Sequence, residues 1–510
     1  MAKATPHLTR SRFEKNKHVT IQSHHYRHNF FLTYGIYGSL KFAHVKRSWP
    51  LSVAIMGNKQ APRSPTIPID SGDCCKEDLL VTHKLKGSPK CGLMAATFGF
   101  FVGFAAIALI GPVAVEFKEM MGLSASLLGL LVAAPQLAAS FLRIPFGAWA
   151  DKVGGKKPIL TLLLISIVGL AGLSFVFFTL CISCLAGQLY PAVIFFSVLG
   201  GASAAIFSAG IPQVSYWVSQ KRQGSALGIY AGLANTAPGI FTLILPYAFL
   251  ALGLSGAYGS WLLFIVVGTL IYALVAHDAP YFQFRNSGIS RDERIKLAKR
   301  AGEELIPSGQ FVGALKKSAK IWRTWALVAL YFASYASALT AWFPAYWSLY
   351  HGLDLRSAAV LTAVTFSILA SFARVGGGSL SDKYGGENIA FVSFILIIAG
   401  ALIMVMSETF LLDVAGGVIM GAGMGMGNAA VFKLVPRYVQ EHVGGASGLV
   451  GGVGALAGFI LPPILGFFVD YFGRPGYSLG LVVFVVLGIM ALLITFALRV
   501  RPFTAATHVD

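Results

Sequence analysis

The chain has 510 residues, 56% of them hydrophobic and only 12% charged, with a mean hydropathy of +0.70. Soluble domains carry about 25% charged residues, so this composition excludes an ordinary soluble fold and points to a chain solvated by lipid. The formal charge of +19 lies in loops and one tail, where positive charge on the cytoplasmic side accounts for it and no nucleic-acid partner is implied.

Residues 1–91 differ from the rest, with 15 Lys/Arg against 5 Asp/Glu and 7 of the 11 histidines. No apolar run there approaches the ~20 residues of a spanning helix, and no cleavage site follows the short run 30–40. A basic, disordered cytoplasmic tail is expected; a targeting extension, or a start at Met56 or Met94, stays open. The tail histidines lack ligand spacing, so no metal is expected. From Met94 onward apolar runs of spanning length follow one another. Helices 1 to 6 are expected near 95–116, 125–149, 158–180, 189–213, 225–250 and 258–277. Helices 7 to 12 are expected near 324–348, 357–379, 388–406, 409–433, 444–469 and 477–498. Helix is the natural choice because lipid satisfies no backbone group and no run alternates as a barrel strand would.

Positive residues cluster on alternate loops: Lys152, Lys156 and Lys157 after helix 2, Lys221 and Arg222 after helix 4, and the charged run 290–304. That asymmetry places both termini in the cytoplasm, in a plasma membrane or a bacterial inner membrane. The expected organisation is a tail (1–91), a six-helix half (92–277), a cytoplasmic linker (278–323), a second six-helix half (324–498) and a short tail (499–510).

The halves repeat. Shifted by 231 residues, Ala139-Ser140-Phe141-Leu142-Arg143 meets Ala370-Ser371-Phe372-Ala373-Arg374, and Gly147, Asp151, Lys152, Gly154 and Gly155 fall on Gly378, Asp382, Lys383, Gly385 and Gly386. A second register, shifted by 220, sets Gly224, Ala226, Gly228 and Gly232 on Gly444, Ala446, Gly448 and Gly452. A site at the interface of two such repeats is expected. Arg143 and Arg374 lie eight residues before Asp151 and Asp382, about two turns into the membrane. An arginine at that depth costs at least ~2.5 kcal/mol, so a compensating partner is required. Pairing with a buried carboxylate is the bland account, but Glu116 and Asp413 sit near the ends of their helices. A bound anion is the better counter-charge, and guanidinium forks suit a small planar oxyanion.

The repeated Gly147-x-x-x-Asp151-x-x-Gly154-Gly155 and Gly378-x-x-x-Asp382-x-x-Gly385-Gly386 look like the loop signature of the major facilitator superfamily. The resemblance implies that Gly147, Asp151, Gly378 and Asp382 are gating elements that stand apart from the substrate. Phe141-Leu142-Arg143-Ile144-Pro145-Phe146, Gly425-Met426-Gly427-Asn428 running on to Phe432-Lys433 and Pro436, and the glycine-rich helix 11 with Pro462 and Pro463 resemble the nitrate/nitrite porter family of that superfamily. Over about 95–500 this implies an all-α membrane protein of twelve transmembrane helices in two pseudo-symmetric six-helix halves. It also implies that Arg143 and Arg374 grip the anion, that Asn235 and Asn428 line the path, and that Tyr331 and Tyr335 flank it. On residue spacing alone, those i,i+4 tyrosines are a packing stripe. The helix 5 motif departs from the family, reading Gly232-Leu233-Ala234-Asn235-Thr236-Ala237-Pro238-Gly239, and helix 4 lacks the family's asparagine around Ser203-Ala204. Lys433 is placed either on the path or at the cytoplasmic interface.

The function expected is secondary transport of a small inorganic anion, nitrate or nitrite, by alternating access. An empty pair of buried arginines should cross slowly, which favours exchange for a counter-anion; a coupling proton has no visible relay. Small organic anions such as formate, or a non-transporting sensor, are the alternatives. No nucleophile–base set or cofactor loop suggests an enzyme or a cofactor.

Overall fold

In the computed structural model, residues 85–183, 186–307, 311–439 and 443–500 are described. The tails expected over 1–91 and 499–510 lie outside them, apart from 85–91 and 499–500. The first helix takes over part of that segment. It opens at Pro89, where the Ser88 hydroxyl accepts the Cys91 N–H and proline occupies a position with no hydrogen bond to lose.

Every regular element among the described residues is helical. Among the described residues, eleven runs are long and apolar enough to cross a membrane, from Pro89–Met121 to Gly476–Val500. One of them, Ala226–Val275, has 50 residues and would measure about 75 Å at 1.5 Å per residue, against ~30 Å of hydrocarbon. It therefore counts as helices 5 and 6, and the break is Gly253, whose φ of 69° only glycine adopts freely. Twelve crossings result. Their lipid faces show bare apolar side chains such as Phe141, Phe372 and Leu274.

Helices 4, 5, 7, 8 and 11 are all irregular near their middles. Helix 4 tightens at Gly201–Ala205, helix 5 breaks at 235–236, helix 7 breaks at 334–336, helix 8 widens into a π-turn at Ala363–Ile368, and helix 11 tightens at Gly454–Leu456. Interrupted spanning helices recur where backbone lines a cavity. The halves meet along two seams. Helix 2 (Ala125–Val153) packs on helix 11 (Val443–Phe472), and helix 5 packs on helix 8 (Leu355–Tyr384) through Gly239 against Ile368.

The linker is strapped to the first repeat's loop. Asp278 accepts the Lys156 N–H at 2.9 Å, Gln213 accepts the Gly155 N–H and donates to the His277 carbonyl, and Arg285 donates to the Lys152 carbonyl. Helix Arg291–Arg300 closes over an apolar cluster of Trp217, Tyr281, Phe282 and Ala298. Beside that cluster Glu303 is buried and accepts the Tyr281 N–H at 3.0 Å, while its second oxygen has no partner. Burial pushes the Glu303 carboxyl up to about 8 from an ordinary value of 4.5, and it also raises that of Asp278.

A carboxyl whose folded pKa is raised stabilises fully below its unfolded value and loses that contribution as pH climbs through the folded one. Linker docking is therefore expected to weaken between about pH 5 and about pH 8. Limited proteolysis across that range should show rising linker cleavage in the wild type and a weaker response in Glu303→Gln, where Asp278 alone remains to titrate.

Candidate functional site

The six residues expected to bind substrate line one cavity between the halves. Arg143 comes from helix 2, Asn235 from helix 5, Tyr331 and Tyr335 from helix 7, Arg374 from helix 8 and Asn428 from helix 10. Arg143 is 1% exposed, so its charge is fully removed from solvent. Its Nη1 donates to the Gly451 carbonyl on helix 11 at 2.7 Å, and its Nη2 donates to the Tyr335 hydroxyl at 3.1 Å. Tyr335 in turn donates to Gln136 Oε1 at 3.2 Å. Both acceptors of Arg143 are neutral, and no ion pair among the described residues includes either arginine.

The two guanidiniums share one aromatic ring. Phe207 lies 5.2 Å from the Cζ of Arg143 and 5.2 Å from that of Arg374, and Phe432 lies 5.9 Å from the latter. Ring quadrupoles offset part of the cost of holding two like charges together without neutralising either. Tyr331 packs on Phe432 at 5.1 Å and on Tyr335 at 5.6 Å. Ser337, Thr340, Ser367 and Ser371 complete the wall, with Ser367 donating to Thr340 at 2.9 Å. Asn428 presents an unpaired Oδ1 and is buried. Asn235 contributes its carbonyl to the Ser371 hydroxyl at 2.7 Å, a bond that ties helix 5 to helix 8.

Sequence reading missed Phe207 and Gln136. A signal for Phe207 existed: Ala204-Ala205-Ile206-Phe207 repeats as Ala429-Ala430-Val431-Phe432, shifted by 225. In that register Ser203 replaces Asn428, and its hydroxyl is spent on the Gly103 carbonyl at 2.9 Å, so the amide has no counterpart in the first half.

The expected gating residues stand apart from this cavity, on the linker side. Asp151 accepts from the Tyr216 hydroxyl, and the Tyr216 ring meets Phe282 of the linker at 5.5 Å. Asp382 pairs with Lys433, both largely exposed, so Lys433 lies off the cavity wall. Gly147 packs toward Ser208, whereas Gly378 faces open space.

A third carboxylate, unremarked in the sequence, closes the opposite side. Asp470 of helix 11 accepts the N–H groups of Ala125 at 2.7 Å and Ser126 at 2.9 Å, along with the Ser126 hydroxyl. It caps the positive end of helix 2 across the two halves. Asp470→Asn keeps the shape and loses the charge, costing about 1 kcal/mol or roughly fivefold in the closed-to-open ratio of that side. Distances between spin labels on the far ends of helices 2 and 11 should lengthen accordingly.

Twelve crossings in two repeated halves around a buried, polar, interfacial cavity are the arrangement of a secondary transporter. The Major Facilitator Superfamily profile matches residues 96–412 and 361–509, and the chain belongs to that superfamily. A probable nitrate/nitrite antiporter, NarK1 of Thermus thermophilus, is 30% identical over 411 residues, covering 75% of this chain and 86% of its own. A probable nitrate transporter, NarT of Staphylococcus aureus, is 26% identical over 428 residues, covering 84% of this chain and all of its own. Within the superfamily, the chain is a member of the nitrate/nitrite porter family. Solved structures add the fold alone. The xylose transporter XylE of E. coli, in a partially occluded inward-open conformation, superposes with a TM-score of 0.60 at 12% identity over 81% of this chain and 99% of its own. An inward-facing bacterial homologue of the lysosomal transporter Spinster gives 0.57 at 18% identity over 83% of this chain and all of its own.

Proposed function

We propose that this chain carries nitrate and nitrite across a cell membrane by alternating access, with one anion held between Arg143 and Arg374. The supporting observation is an arginine pair, Arg143 buried and Arg374 half-buried, with no carboxylate partner among the described residues: Arg143 binds only neutral acceptors and keeps its Nε–H unpaired, and a planar oxyanion supplies oxygens at the spacing of the guanidinium fork. The hydroxyls of Ser337, Thr340 and Ser371 and the amides of Asn235 and Asn428 set the polarity around it. Bound anion cancels one of two like charges in low dielectric, so the loaded carrier reorients faster than the empty one. Exchange of one anion for another is therefore the fast mode.

In this reading the linker side is cytoplasmic, since Lys152, Lys156 and Lys157 and the cations of Arg291–Arg300 gather there. The loop carboxylates Asp151 and Asp382 act as inner latches and Asp470 as the outer one. Counterflow in proteoliposomes tests the assignment. Internal nitrite should drive uptake of labelled nitrate, and formate should compete weakly. Uptake driven as well by formate or another monocarboxylate would transfer the site to small organic anions.

A further inference from the structure

Away from the arginines, the outer side of the second half holds a buried carboxylate that the anion mechanism leaves unused. Asp413 of helix 10 (Phe410–Tyr438) is fully buried. Its Oδ2 accepts from the Tyr346 hydroxyl at 2.5 Å and meets His351 Nε2 at 2.8 Å, whereas its Oδ1 has no partner among the described residues. The His351 ring stacks on Trp347 at 5.5 Å and meets Phe410 at 5.4 Å. Gly352, with φ of 73°, turns the chain away directly after it, so the imidazole sits at the end of helix 7 beside the outer loop.

The surrounding charged and titratable groups are few. Helix 7 brings Tyr346, His351 and Tyr350, and the start of helix 12 brings Tyr477 near Tyr350. Arg474 is spent on the Tyr350 carbonyl. Asp354 accepts the N–H groups of Arg356 and Ser357, and the Arg356 guanidinium lies over Tyr247. Glu408 lies in the turn before helix 10, and the end of helix 9 that packs beside Asp413, 400–406, carries no titratable group. Among the described residues no arginine or lysine holds Asp413, and its partners are a hydroxyl and an imidazole. A buried carboxylate with one bare oxygen is costly to keep ionised, and ionisable residues inside a span mark proton sites.

We propose that Asp413, His351 and Tyr346 form a proton-binding site reached from the outer face, and that its occupancy speeds the inward passage of the anion; this rests on the anion reading above. Two features link the sites. Helix 7 is broken at 334–336, and the outer segment Ser337–His351 is a rod about 22 Å long. The chain enters that rod through Tyr335, which holds Arg143, and its far end carries His351. Adding a proton to the carboxylate removes its attraction for His351 and frees the rod's outer end. The added charge also offsets that of an anion moving into a compartment held negative.

The test is nitrate–nitrite exchange in proteoliposomes with the inner pH fixed and the outer pH lowered from about 8 to about 6. The wild-type rate should rise roughly fivefold, while Asp413→Asn and His351→Gln exchange at a constant rate. His351→Gln leaves the carboxylate in place and supplies the same comparison if Asp413→Asn fails to assemble. A variant that exchanges and keeps the full pH response overturns the proposal. Infrared spectra of the purified protein give a readout independent of transport: a protonated-carboxyl band present in acid and missing from Asp413→Asn. Its absence from the wild type overturns the site, whereas wild-type protein with the band but no exchange at any pH overturns the anion reading instead.

Discussion

Lysine in place of Arg143 or Arg374 should abolish exchange while leaving the protein folded. The charge survives in both variants, so simple electrostatic attraction predicts little change. What is lost is the planar fork. An ammonium offers its donors from one point and cannot present two parallel N–H groups to the two oxygens of a planar anion. Removing one charge-assisted hydrogen bond costs about 1.5–3 kcal/mol, or roughly 10- to 150-fold in affinity. Arg143→Lys should be the more damaging, because Arg143 also holds the Gly451 carbonyl and the Tyr335 hydroxyl and so joins helix 2 to helices 11 and 7. Counterflow in proteoliposomes reads the loss, and thermal unfolding separates it from misfolding.

The second large effect is expected at a position that touches no anion. Gly466 of helix 11 lies against the Ala125 carbonyl, and Gly129 of helix 2 lies against Pro462; a β-carbon at either would collide with the facing backbone. This seam and the Asp470 cap above it hold the halves together on the side opposite the linker. Backbone cannot yield as a flexible side chain can, so Gly466→Leu should wedge the halves apart and block closure. Turnover should fall by roughly 5- to 150-fold or more, since overpacking of this kind costs about 1–3 kcal/mol or more. Binding of anion from the side opposite the linker should persist. Equilibrium nitrate binding that survives while counterflow disappears is the signature, and loss of both together would point to disrupted folding.

Much of the architecture could be read from the sequence because a membrane simplifies the problem. Lipid demands helices of a fixed length, so apolar runs count crossings directly, and the repeat of Arg143 on Arg374 and Asp151 on Asp382 marked the two halves. Even over 226–275, where the helix is interrupted only at Gly253, the sequence divides the run into crossings near 225–250 and 258–277, on either side of that glycine. Contacts between single side chains were another matter. Phe207 serves both arginines, and only the repeat of Ala204-Ala205-Ile206-Phe207 on Ala429-Ala430-Val431-Phe432 sets it apart from the other aromatic residues of the apolar helices. Asp413 was visible as a charge near a helix end, but its partner His351 lies 62 residues away and closes a different helix, so the pair exists only in the fold. Docking of the linker on Trp217 and Tyr216 was hidden for the same reason: a charged run looks like a solvated surface until its few apolar side chains find a partner.

The arginine pair carries the account, and a structure determined with nitrate bound tests it most directly. The account predicts a single planar anion between the guanidiniums of Arg143 and Arg374, within hydrogen-bonding distance of both, beside Phe207. An anion bound to one arginine alone, or resting elsewhere on the path while the two guanidiniums keep only their neutral partners, would contradict it.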